Sequence, residues 1–283
     1  MNKNTFPAIV AATLVPLAAN AASDHSTVSD EYIAKQRAML EKNTDGKGFG
    51  PQSPRNIDTL KGSNARIFNQ APKYQDMNLC NIHFHKNAEH QGGEFNKYAG
   101  NGDGAGFQTG FVYSGKLTAA ETKKVNQEIC PSKHGGLHPG DTIELHYVHT
   151  SAQVNPGPTL GACLSDAIMN PQLRVETQVY VLVNDKHALD FSELTKHAVV
   201  NGKHQAVNIP NNTGTAIQYA GSTTGPSYNE KGSPLQVSWS VRPKIAKVNI
   251  ETVGKWCQGN TFNEDHAHGV RNLVTNPKLL SSM

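Results

Sequence analysis

Two short stretches in which polar and apolar residues alternate limit what this chain can fold into. The first, Cys80-Asn-Ile-His-Phe-His-Lys-Asn-Ala-Glu-His90, sets His83 and His85 two residues apart between Ile82 and Phe84. On a β-strand the side chains at i and i+2 leave from the same face, so both imidazoles point together. The second, Asp141-Thr-Ile-Glu-Leu-His-Tyr-Val-His149, puts Glu144 and His146 on one face and Ile143, Leu145 and Tyr147 on the other. If the two strands pair, His146 joins His83 and His85. Three neutral imidazoles around a divalent ion, with one position left open, is the donor set of a catalytic zinc site and not of a closed, four-ligand structural one. His149 has the opposite parity to His146 and is expected to pack inside, and His90 to pack or hydrogen-bond beside the site.

The first 21 residues read as a secretory signal. Lys3 precedes an apolar run from Pro7 to Ala18, and Ala19-Asn20-Ala21 has the small-x-small pattern at which such signals are cut. The run is too short to span a bilayer comfortably, and no later stretch is apolar for long enough. The expectation is a soluble protein exported across an inner membrane to the periplasm. Residues 22–283 are expected to form one domain, because roughly 260 residues suit a single large β-rich or α/β core. A formal net charge of +3 argues for neither nucleic acid nor an anionic membrane as partner. Oligomeric state leaves no trace in the sequence.

Cys80, Cys130, Cys163 and Cys257 are even in number, which in an exported chain favours disulfides. No Cys-x-x-Cys occurs, so a redox motif or a cysteine zinc knuckle is not expected. Of the three possible pairings, Cys130 with Cys163 would tie the ends of the segment carrying His146, and Cys80 with Cys257 would anchor the His83 strand. That pairing is the expected one.

Ser29 followed by Asp30, Glu31 and a late Lys42 marks a short helix, and Thr118 to Glu128 reads as another. The Gly- and Asn-rich run from Gln91 to Gly110 reads as a surface loop able to rim the site. Phe111-Val-Tyr113, Val175 to Val183 and Leu235 to Val241 read as strands, and Ala216 to Tyr219 leads into Gly221-Ser-Thr-Thr-Gly-Pro226. Many short strands, few helices and abundant Gly and Pro turns favour a mainly β (α+β) domain, built around a twisted, largely antiparallel sheet that carries the site.

Four motifs in one order resemble the carbonic anhydrases. They are His83-Phe-His85 with Ala88-Glu89-His90; Glu144-Leu-His146-Tyr-Val-His149; Gly221-Ser-Thr-Thr-Gly-Pro226; and Val237-Ser-Trp239. Pro51-Gln-Ser-Pro-Arg-Asn-Ile57 is similar to the Gln-Ser-Pro segment near the start of those enzymes. The cysteine ahead of the metal strand, the Gly-Ser-Thr-Thr-Gly form and His268-Gly-Val-Arg271 look most like the delta class, and the α class shares the outline more loosely. The resemblance implies reversible hydration of carbon dioxide to bicarbonate and a proton, by hydroxide generated on one zinc ion per chain. It implies His83, His85 and His146 as ligands, Glu144 as the acid behind His146, Thr224 as the gatekeeping hydroxyl and Glu89 as the acid behind that hydroxyl. Val148, Val237 and Trp239 match an apolar substrate wall. Two departures stand out: residues 57–82 contain no histidine where the α class keeps its proton shuttle, and Gly225 replaces a second hydroxyl residue.

Two other readings stay open. His83-x-His85-x-x-x-Glu89 also fits a cupin-type oxygenase or isomerase with Glu89 as a ligand of iron or manganese. A carbonic-anhydrase-like domain that has lost catalysis would serve as a binding module, although such silent relatives typically lack a ligand histidine. His266 and His268 are expected to be a solvated pair, with a second metal site or a proton relay as the alternative.

Overall fold

The computed structural model describes residues 27–59 and 61–282, so the signal-peptide reading of residues 1–21 lies outside the described residues. The first helix, α1 (Asp30–Thr44), starts where Ser29 accepts a hydrogen bond from the Tyr32 amide, and acids in its first turn and Lys42 in its last suit the helix dipole. Leu40 packs it against Val274, Leu279 and Leu280.

The strands follow as β1 (Asn78–Lys86), β2 (Lys97–Asn101), β3 (Thr109–Val112), β4 (Thr142–Thr150) and β5 (Leu173–Val183). After the short α2 (Phe191–Leu194) come β6 (His197–Val200), β7 (Lys203–Ala206), β8 (Ile217–Ser222), β9 (Gln236–Val241), β10 (Ala246–Asn249) and α3 (Ile250–Cys257). The main sheet runs β1-β4-β5-β9-β8, with β10 added to the far half of β5. Pairing is antiparallel except where β9 and β10 lie along β5. The fold is therefore mainly β, as the alternating pattern and the turn residues require.

Every residue of β4 is buried, because both faces of the sheet are covered. Ile143, Leu145 and Tyr147 join Ile82, Phe84, Trp256 and Phe191 in one core. On the other face Val148 joins Val175, Val237, Trp239 and Cys80 in a second core. Glu144 and His146 share the parity of Val148 and so belong to that second side. Phe84, Phe191 and Trp256 meet in edge-to-face contacts that seat α3 under β1.

Two expectations fail, each for a physical reason. Residues 118–128 form turns instead of a helix: after a single turn closed by Thr118 and Glu121, the Glu121 and Lys123 carbonyls accept from the Asn184 backbone and side-chain amides. Those acceptors are then unavailable to a helical ladder. The disulfides are Cys80–Cys163 and Cys130–Cys257, correcting the expected pairing. Cys80 and Cys163 lie in the core that contains Val148, whereas Cys130 and Cys257 lie with the other core under α3. The sheet separates the two pairs, and the expected bonds would have to cross it. Helix α3 itself was not read from the sequence, although Asn249 caps it by accepting from the Glu251 amide.

His149 is buried against Tyr74, with Nδ1 on the Tyr147 carbonyl and Nε2 without a partner. It is thus packed, as its parity required. Burial pushes it down to about 3. An imidazole depressed in the folded state stabilises fully above its unfolded value of about 6.5, and that stability is lost as pH falls towards the folded value. Between pH 7 and pH 4 this amounts to about 3 kcal/mol. Urea unfolding at the two pH values should therefore show His149→Phe losing about 3 kcal/mol less than the parent chain; equal losses would remove His149 from the acid response.

Candidate metal centre

The β1–β4 register sets His83 directly opposite His146 and His85 opposite Glu144. The paired strands thus bring the three expected histidines together, and their ring nitrogens lie within 4.8 Å of one another. Each outer nitrogen meets an acceptor. His83 Nδ1 lies 2.6 Å from Asn81 Oδ1, His85 Nδ1 2.9 Å from the Gly269 carbonyl, and His146 Nε2 2.7 Å from Glu144 Oε1. Asn81 Nδ2 donates to the Gly157 carbonyl at 3.0 Å, which fixes which amide atom faces His83. With the outer nitrogens carrying the protons, all three inner nitrogens are bare lone pairs.

Those lone pairs converge. His83 Nε2 and His146 Nδ1 face each other at 3.3 Å, and buried His85 Nε2 has no hydrogen-bond partner at all. Without a cation this arrangement is repulsive; with one it is a ligand set. Burial, then His146 and His85, hold His83 well below the usual imidazole range. Burial likewise pushes His85 down to about 4, against the pull of Glu89. Both rings are therefore neutral at pH 7, as metal ligation demands.

Glu144 is wholly buried and accepts four hydrogen bonds. Oε1 receives His146 and His90 Nδ1, each at 2.7 Å, while Oε2 receives the Glu89 and His90 amides at 2.9 and 3.2 Å. Burial would raise its pKa, but His90 and His146 outweigh that and hold the carboxyl well below the usual range. A second convergent set, His90, Glu144 and His146, is satisfied internally by these bonds.

Glu89 is also buried. Its Oε1 accepts from the Arg271 amide at 2.8 Å, and its Oε2 has no hydrogen-bond partner, 3.9 Å from His85 Nε2. Thr224 lines the same cavity as the histidines, yet no hydrogen bond joins it to Glu89 among the described residues. The neighbouring Thr223 also lines the cavity, but it is buried and its hydroxyl is occupied with Ser233. Val148, Val237 and Trp239 line this cavity of about 300 Å³, in which apolar surface predominates. Trp239 is held by a 3.1 Å bond from its Nε1 to the Ser222 carbonyl and packs edge-on to His146.

A delta carbonic anhydrase family model matches residues 74–252. The chain belongs to the delta carbonic anhydrase family. Its activity is the reversible hydration of carbon dioxide. No curated protein matches it. Solved structures similar to it include an α-carbonic anhydrase from Thermovibrio ammonificans in complex with sulfanilamide, at 16% identity over 84% of this chain and 88% of that one, with a TM-score of 0.27. Another is the Photobacterium profundum α-carbonic anhydrase, at 15% identity over 84% and 93% of the two chains, with a TM-score of 0.27.

In this delta carbonic anhydrase several site residues escaped the sequence reading. Asn81 stands two residues before His83, so the strand period alone places it on the same face; that signal was available. Gly269 and Arg271 belong to a motif noted only as a resemblance, and their main-chain atoms turn out to hold His85 and Glu89. Arg271 also donates to the Gln52 side chain and the Ser53 carbonyl, which ties the Gln-Ser-Pro segment into the same support. Phe107, from the expected loop, lines the cavity with Thr159 and Leu160, whose position has no sequence signal. His268 is exposed, as expected, yet it is not remote from the site: its ring lies 5.7 Å from that of His83, with Nε2 on Glu264 at 2.6 Å.

Proposed function

We propose that His83, His85 and His146 hold one zinc ion per chain and that carbon dioxide is hydrated in the cavity above them. The single observation carrying this reading is the convergence of three bare ring nitrogens whose outer partners are all acceptors. Zinc held there would lower the pKa of water to about 7, the value established for carbonic anhydrase, so that hydroxide would be at hand at neutral pH.

The chain's own groups do the rest. Glu144, Asn81 and the Gly269 carbonyl hold the tautomers and ring orientations. Thr224 accepts a hydrogen bond from the attacking oxygen and donates its own proton to Glu89 Oε2, which selects the lone pair presented to carbon. The unmet Oε2 and the place of Thr224 on the cavity wall support this pairing. Val148, Val237 and Trp239 give an uncharged substrate an apolar wall. Glu89 lies outside the convergent nitrogen set, which disfavours the cupin-type carboxylate ligand. Two disulfides support an exported protein; the periplasm as its compartment and residues 22–283 as one domain are part of the same proposal.

Elemental analysis of the purified protein, with indicator-coupled stopped-flow hydration, tests the assignment. One zinc per chain is expected; a metal-free active protein would reject it. Thr224→Ala should lower turnover about a hundredfold, the scale of losing one oriented hydrogen bond in a transition state, with zinc content unchanged. Loss of zinc in that variant would contradict the orienting role.

A further inference from the structure

The segment between β4 and β5 is bound to β1 at closely spaced points. The Gly157 amide donates to the Cys80 carbonyl at 3.0 Å, and Cys163 closes the disulfide to Cys80. Asn81, next along β1, donates its Nδ2 to the Gly157 carbonyl at 3.0 Å and accepts from His83 through Oδ1 at 2.6 Å. Asn81 is fully buried, so water cannot stand in for either partner. One amide group therefore connects the segment to a histidine of the metal centre.

Between the two anchors the backbone is strained. Thr159 lies at φ 57° and ψ 172°, a region that glycine occupies almost alone and that a β-branched residue avoids. Such a conformation persists only where its surroundings over-determine it. Here the surroundings are Gly157 and Cys163 on either side and the Gly161 amide, which donates to the Thr159 hydroxyl at 3.2 Å. The Thr150 hydroxyl adds a 2.8 Å bond to the Cys163 carbonyl.

We propose that Cys80–Cys163 makes residues 157–163 a clamp on the metal centre. With Gly157 fixed, the Asn81 amide keeps one orientation, and His83 keeps Nε2 aimed at its two neighbours. Asn81 is then a positioning residue, and the disulfide sets how firmly zinc is retained. The inference rests on His83 being a zinc ligand. Among the described residues no hydrogen bond joins Cys130 or Cys257 to a ligand histidine, so Cys130–Cys257, on the other side of the sheet, serves as the control.

Zinc affinity, read by competition with a chromogenic chelator on the folded protein, separates the possibilities. Replacing Cys80 and Cys163 together by alanine should weaken zinc binding 10–100-fold, the scale of losing a group that orients a ligand. Replacing Cys130 and Cys257 together should leave affinity unchanged. It should cost at least as much thermal stability, because that bond spans 127 residues against 83. Should the first variant fail to fold, Asn81→Asp decides: it keeps an oxygen for His83 but loses the donor to Gly157. The clamp predicts weaker zinc binding in Asn81→Asp, whereas a simple gain of a carboxylate partner would tighten it. Unchanged or tighter binding there, or equal losses in the two cysteine variants, overturns the clamp. A parent chain that binds no zinc overturns instead the reading of the centre on which the clamp rests.

Discussion

His146→Ala is expected to lose both zinc and nearly all carbon dioxide hydration. His146 stands at the middle of the centre, with Nδ1 facing His83 Nε2 at 3.3 Å and Nε2 on Glu144 at 2.7 Å. Its removal leaves two imidazoles, too few for a site that needs three protein ligands and one open position. A bound metal contributes several kcal/mol to such a reaction, so stopped-flow hydration should fall about a thousandfold or more. Elemental analysis should find the variant depleted of zinc, and circular dichroism should find it folded. An active His146→Ala protein would exclude this site.

Glu144→Gln should be the most damaging change that leaves every ligand in place. Glu144 faces four donors and no acceptor. A carboxylate meets that environment; an amide must turn its NH2 group towards two of those donors. The expected cost is about 3–5 kcal/mol of stability, the scale of breaking a buried charged network, with zinc affinity weakened about 10–100-fold. The pH dependence follows from the depressed carboxyl. Its stabilisation is present above the unfolded carboxylate value of about 4.3 and is lost as pH falls through the lower folded value. Denaturant unfolding should accordingly show the parent's advantage over Glu144→Gln shrinking in acid. A variant as stable and as tightly zinc-binding as the parent would remove Glu144 from its supporting role.

Strand periodicity carried much of this molecule. The i, i+2 spacing of His83 and His85, and the shared parity of Glu144, His146 and Val148, follow from the two-residue repeat of a strand, and the β1–β4 register brings them together. The same parity put His149 inside and away from the ligands. The helix at residues 118–128 failed because its propensity was local while the acceptors it needed were claimed by Asn184 from a distant strand end. The disulfide pairing failed because sequence spacing does not reveal on which side of a sheet a cysteine lies.

By itself the sequence determined which residue types could converge, since the strand repeat is a property of the backbone and needs no partner to be read. Tertiary structure alone decided what holds them in place. Asn81 on Gly157, His85 on the Gly269 carbonyl and Glu89 on the Arg271 amide are each contacts with main-chain atoms brought from far along the chain. Every residue carries the same peptide group, so side-chain pattern cannot announce which amide or carbonyl will arrive at a given ring. Only the packed sheet selects them.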